Sequence, residues 1–164
     1  MCWIKKIKKL SDIYQIMINN LIKEDIKNKI KLIKIIQKLE NIDIRIIKEL
    51  FGYNEKETLE LIKLFLNNTE KYNGHIYLPF SKIKNLGKLT HIEGNLVIHD
   101  TEINSLGNLE YVRYHLNIEN TNINDLGKLK YVGGNFYIGN TELENNYTAK
   151  NIRSKIKGIN NLYR

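Results

Sequence analysis

The chain contains a single cysteine, Cys2. An intramolecular disulfide framework is therefore excluded, and a reducing compartment is expected. Alanine is almost missing, with Ala149 its one instance, while Ile, Lys and Asn abound, the signature of an AT-rich coding sequence. No apolar stretch in MCWIKKIKKL is long enough for the hydrophobic region of a signal peptide, and no later run could span a bilayer. The expected location is cytoplasmic, the host cytoplasm if a phage encodes it. Catalytic signatures are lacking too: there is no phosphate loop, nucleophile elbow, H-x-x-x-H, C-x-x-C or paired-acid motif. Cys2 has no histidine near it in sequence, so a catalytic thiol is not expected. The reading is of a protein that is not an enzyme, with no catalytic, metal or cofactor residues and no small-molecule substrate.

What is present is repetition. TEINSLGNLEYV (residues 101–112) returns 20 residues later as TNINDLGKLKYV (121–132), and SKIKNLGKLTHI (81–92) precedes both at the same offset. A fourth copy begins at Thr141 with TEL and then dissolves. Alignment by 20 gives apolar columns: Ile76, Leu96, Leu116, Phe136; Leu78, Ile98, Ile118, Ile138; Ile83, Ile103, Ile123, Leu143. Leu86, Leu106 and Leu126 form another, each followed by Gly, as do Leu89, Leu109 and Leu129, and Ile92, Val112 and Val132. The L-x-I pair alternates as a short strand with one buried face does. One coil cannot bury its own apolar side, whereas stacked coils bury it against each other. The expected fold class is α+β, with an N-terminal helical domain (1–70) on a repeat solenoid (75–143) and a basic C-terminal cap (144–164).

The phrase L-x-I-x-x-T-x-I-x-x-L, as in residues 116–126, resembles the leucine-rich repeat, which has Asn where this chain has Thr101, Thr121 and Thr141. A hydroxyl there, or that of Ser81, can bond turn backbone as the Asn does. The resemblance implies a rigid strand face presented to a protein.

Residues 4–67 read as helices. Ser11 caps one with Ile13, Ile16 and Met17 on a side; Asp25 caps another, Ile26, Ile30, Ile33 and Ile36 inward and Lys27, Lys31, Lys34 and Lys38 outward. Asp43 starts a short helix that Gly52 ends, and Asn54 with Glu57 makes a capping box for the next. The run IDIRIIKELFGYNEKETLELIKLF (42–65), extending to Leu66, resembles a helix-turn-helix of the winged-helix kind, with Glu55 to Leu66 as its second helix. That helix would expose Glu55, Glu57 and Glu60, which repel DNA phosphates. In the tail, Ile152, Ile156 and Ile159 fall at helical spacing.

Net charge is +8, concentrated at both ends. Residues 1–40 hold 10 Lys against 4 acids, residues 145–164 hold 5 cations and no acid, and residues 71–144 hold 7 cations against 8 acids. Nucleic-acid contact would use Lys27, Lys31, Lys34, Lys38, Lys150, Arg153, Lys155 and Lys157, though coding bias explains part of the lysine excess equally well. His99 and Glu119 share a column and could touch, but exposed strand residues account for the histidines as simply. Tyr111 and Tyr131 share a column beside Arg113 and Tyr114, and Tyr77 and Tyr137 point outward. These six are the candidate partner-binding residues; ladder stacking is the competing reading for the tyrosines. The expected function is non-enzymatic binding of a protein or protein–nucleic-acid complex. Small basic binders from AT-rich genomes include phage and mobile-element inhibitors of host defence. The alternative is a DNA-binding transcriptional regulator.

Overall fold

The computed structural model describes residues 33–34, 36–39, 41–51 and 54–164. Cys2, Ser11, Ile13, Ile16, Met17, Asp25, Ile26, Lys27, Ile30, Lys31 and Gly52 lie outside these. Among the described residues, the chain runs through β1 (Asn41–Asp43), α1 (Ile44–Phe51), α2 (Glu55–Asn67), β2 (Lys71–Tyr72), β3 (His75–Tyr77), β4 (His91–Ile92), β5 (Leu96–Val97), β6 (Tyr111–Val112) and β7 (Leu116–Asn117). It continues through β8 (Tyr131–Val132), β9 (Phe136–Tyr137), α3 (Glu142–Asn146), α4 (Ala149–Lys155) and β10 (Leu162–Tyr163).

The repeats wind into a parallel β-solenoid. One sheet has the order β1-β3-β5-β7-β9-β10 and the other β2-β4-β6-β8. Pairing is in register at the repeat step: Leu96 with Leu116 and Leu116 with Phe136 in the first sheet, Ile92 with Val112 and Val112 with Val132 in the second. The columns are therefore ladders, each side chain lying on its equivalent one strand spacing away, about 4.8 Å. Every residue in the apolar columns is buried, and one continuous core runs from Ile36 to Ile159.

Three polar devices shape each coil. The hydroxyls of Ser81, Thr101, Thr121 and Thr141, all buried, donate to the carbonyls of Leu78, Ile98, Ile118 and Ile138 at 2.6–2.8 Å. Asn85, Ser105 and Asp125 accept from the N–H of Gly87, Gly107 and Gly127, tightening the third side of the coil. At the corner before each Ser/Thr the backbone is left-handed, at Phe80, Asp100, Asn120 and Asn140. That conformation costs most L-residues about 1–2 kcal/mol, Asn and Asp less.

The ends of the stack depart from the sequence reading. Asn41–Asp43, inside the stretch read as helical, is a strand whose Ile42 pairs with Ile76. Ile42 is fully buried while Asn41 is exposed, so its neighbours in the core set its conformation. Asp43 then starts α1, accepting from the Arg45 N–H at 2.8 Å and from its guanidinium at 2.7 Å. The Arg45 hydrogen bonds hold the Asp43 carboxyl below its ordinary pKa. The Asn54–Glu57 capping box is formed, and α2 buries Thr58, Leu61, Ile62, Phe65 and Leu66. Thr58 is accommodated there because its hydroxyl donates to the Asn54 carbonyl at 2.9 Å.

At the far end, Thr141 diverts the fourth copy. Its hydroxyl donates to Ile138 and also accepts from the Glu144 N–H, capping α3. The tail is not one helix through Ile159. Helix α4 ends at Lys155, with Ile156 as its C-cap; Lys157 then bridges to Tyr131 and Leu162 pairs with Phe136. It is a further coil with a step of 26 residues, Asn161 binding Asn135. Among the described residues, no helix is long and apolar enough to cross a membrane.

Candidate functional site

Outward positions of the two sheets meet at a corner formed by residues 93–95 and their equivalents. There Gly74, Gly94, Tyr114 and Gly134 fall in one column. The glycines are small by necessity: a side chain at Gly94 would land on the backbone of Gly74, and one at Gly134 on Tyr114 backbone and the His115 ring. Tyr114 alone carries a side chain, which is 45% exposed. With Gly94 leaving a gap, its ring reaches back two coils to lie parallel to His75 at 6.2 Å, and His75 in turn stacks on Tyr77 at 6.0 Å. The result is a shelf of three near-parallel rings. Arg113 places its guanidinium 5.7 Å from the Tyr114 centroid and donates to Glu93 at 2.9 Å. That carboxylate raises the Arg113 pKa, so its charge is fixed.

Backbone bonds fix the shelf. The N–H of Asn95 donates to His75 Nδ1 at 3.0 Å, and that of Asn135 to His115 Nδ1 at 2.8 Å. Both nitrogens must be unprotonated to accept. The Asn95 amide also donates to the Tyr77 hydroxyl at 3.1 Å, and that of Asn135 to the Tyr137 hydroxyl at 3.0 Å.

The six predicted partner-binding residues therefore divide. Tyr114, Arg113 and Tyr77 belong to the shelf. Tyr111 and Tyr131 stack on each other at 4.8 Å, with His91 on the outer side of Tyr111 and Gly158 against Tyr131. Both are half-buried, and burial, with the Glu93 charge, pushes the Tyr111 phenol up. Tyr137 stacks on Tyr163 at 4.5 Å.

Of the predicted nucleic-acid residues, the described ones lie at the two ends of the stack. Lys34 and Lys38 are exposed beside the first coil. Lys150, Arg153, Lys155 and Lys157 are exposed at the last, where Arg153 donates to the Ile159 carbonyl and Lys155 lies 5.0 Å from the Tyr147 ring. His99 does not meet Glu119: its Nδ1 lies 2.6 Å from Asp100, while Glu119 accepts from Asn117. Among the described residues, no three His, Cys, Asp or Glu side chains gather as a metal site would require. Two features escaped sequence reasoning. The glycine column around Tyr114 was legible in the repeats; the left-handed corner at Phe80 is marked by Asp100, Asn120 and Asn140 in the same column.

The fold and surface define a parallel β-solenoid with coils of about 20 residues and an aromatic corner shelf. In comparisons with known proteins, no family model matches this sequence, and no curated protein or solved structure matches it.

Proposed function

We propose that the chain is a non-enzymatic binding protein that offers its solenoid to a cytoplasmic protein or protein–nucleic-acid complex in the manner of leucine-rich repeats. The observation that carries this reading is Tyr114, an exposed ring in a column of glycines, with Arg113 held beside it by Glu93. Tyr and Arg are the commonest interface anchors, and a pre-ordered shelf loses little entropy on binding. Tyr111 and Tyr131 stack on each other on the adjoining sheet. The basic ends would contact any nucleic acid in the complex, and inhibition of host defence by a phage or mobile element suits such a chain. The DNA-regulator alternative draws less support, because α2 exposes Glu55, Glu57 and Glu60.

The test begins with capture of a partner from the cell that makes the protein, with and without nuclease, and its identification. Tyr114→Gly, which matches the neighbouring coils, is expected to weaken that partner's affinity by about 2 kcal/mol or more while the melting temperature barely moves. The Tyr111→Ala, Tyr131→Ala double variant is expected to lower stability instead. Unchanged affinity for Tyr114→Gly would remove the shelf from the interface.

A further inference from the structure

Phe80 occupies the corner where the next three coils carry Asp100, Asn120 and Asn140, and its φ of 58° matches theirs of 55°, 53° and 56°. Asp and Asn tolerate left-handed backbone; a bulky aromatic there is an outlier. The polar residues also bond along the stack, Asn140 donating to Asn120 at 2.9 Å and Asn120 to Asp100 at 3.0 Å. That ladder stops at Phe80. Its ring is 72% exposed, meeting the edge of His99 at 5.2 Å. An aromatic here forfeits backbone ease, a ladder bond and burial, against the one edge contact with His99. Strain of that kind persists where function needs the side chain.

Its surroundings indicate what it meets. Ile46 in α1, the helix that follows β1, is also exposed, at 44%. Lys82, Lys84 and Lys88 follow on the same coil, all exposed, and residues 81–90 contain no acid. Lys84 alone of the three has an ion-pair partner among the described residues, Glu102 at 3.6 Å.

We propose that Phe80 anchors a second docking surface, separate from the Tyr114 shelf, for an acidic protein segment carrying an apolar side chain. Charge selects this occupant. A symmetric dimer through this same face would set three lysines against three, and the chain's own residues 1–32 carry eight Lys against three acids. An acidic segment lays its apolar group on Phe80 and its carboxylates along Lys82, Lys84 and Lys88, which steer and orient it.

Two measurements on the full chain test this. Phe80→Asn restores the residue type of the other corners and is expected to raise the melting temperature by about 2–4 °C. Nitrogen-15-labelled protein is then titrated with a short synthetic peptide holding a central Phe-Leu pair between glutamates, and with its lysine counterpart. The acidic peptide is expected to shift amide signals around Phe80, Lys82, Lys84 and His99, and to bind Phe80→Asn about 30-fold more weakly. Tyr114→Gly should bind it as the parent does. A lower melting temperature for Phe80→Asn, equal response to the lysine peptide, or shifts elsewhere that survive Phe80→Asn would overturn the proposal.

Discussion

Leu106→Asp and Leu126→Asp are each expected to destabilise the protein by about 3–5 kcal/mol, enough to unfold a stack of this size. Leu106 is fully buried and Leu126 nearly so, each in a ladder with its equivalents and followed by the Gly that turns the chain. A carboxylate there would face aliphatic neighbours from adjacent coils, with no donor to satisfy it. Glu102→Gln, on the exposed side of the same coil, removes only a surface pairing with Lys84 at 3.6 Å and is expected to cost within about 0.5 kcal/mol. Urea melts followed by circular dichroism separate the three. Similar mild effects from all of them would mean that the columns are not a shared core.

Gly87→Ala and Gly107→Ala form the second comparison, because their φ values, 59° and 58°, are alike and their surroundings are not. At Gly107 a Cβ meets nothing within 4 Å, so alanine introduces only left-handed strain, about 1 kcal/mol. At Gly87 the same atom would sit 2.5 Å from both the carbonyl carbon and the oxygen of Leu66. The neighbouring Lys88 N–H donates to that oxygen at 2.9 Å, receiving the end of α2 on the first coil. Alanine there must push the helix away, and a loss of about 3 kcal/mol or more is expected. Equal losses at the two sites would show that α2 is not seated on this turn.

The repeated coils were legible because in-register stacking writes the same side chain into the sequence every 20 residues. Ile98, Ile118 and Ile138 announced their burial by recurring. The terminal coils were not legible because inserted helices break that step. Asn41 pairs with His75 only after α1 and α2 intervene, and Leu162 reaches Phe136 only after α3 and α4. Ile156 and Ile159 fell at helical spacing by coincidence; Ile156 ends the helix and Ile159 is buried beyond it. At the candidate site, Tyr114 and Tyr111 looked alike in sequence. The difference lies in their columns: His91 and Tyr131 flank Tyr111 as rings, whereas the neighbours of Tyr114 in its column, Gly94 and Gly134, have no side chain to stack on it.

Removal of one whole coil tests the architecture most directly. Deleting residues 101–120 joins Asp100 to Thr121 and should let β5 pair with β9 in the register that β7 now holds. Every ladder is shortened by one rung and none is shifted. Circular dichroism melting of this variant is expected to show a native-like spectrum and a single cooperative transition at a lower temperature, while deletion of residues 101–110 leaves the chain unfolded. If the full-coil deletion is as disordered as the half-coil one, the stacked 20-residue solenoid is wrong.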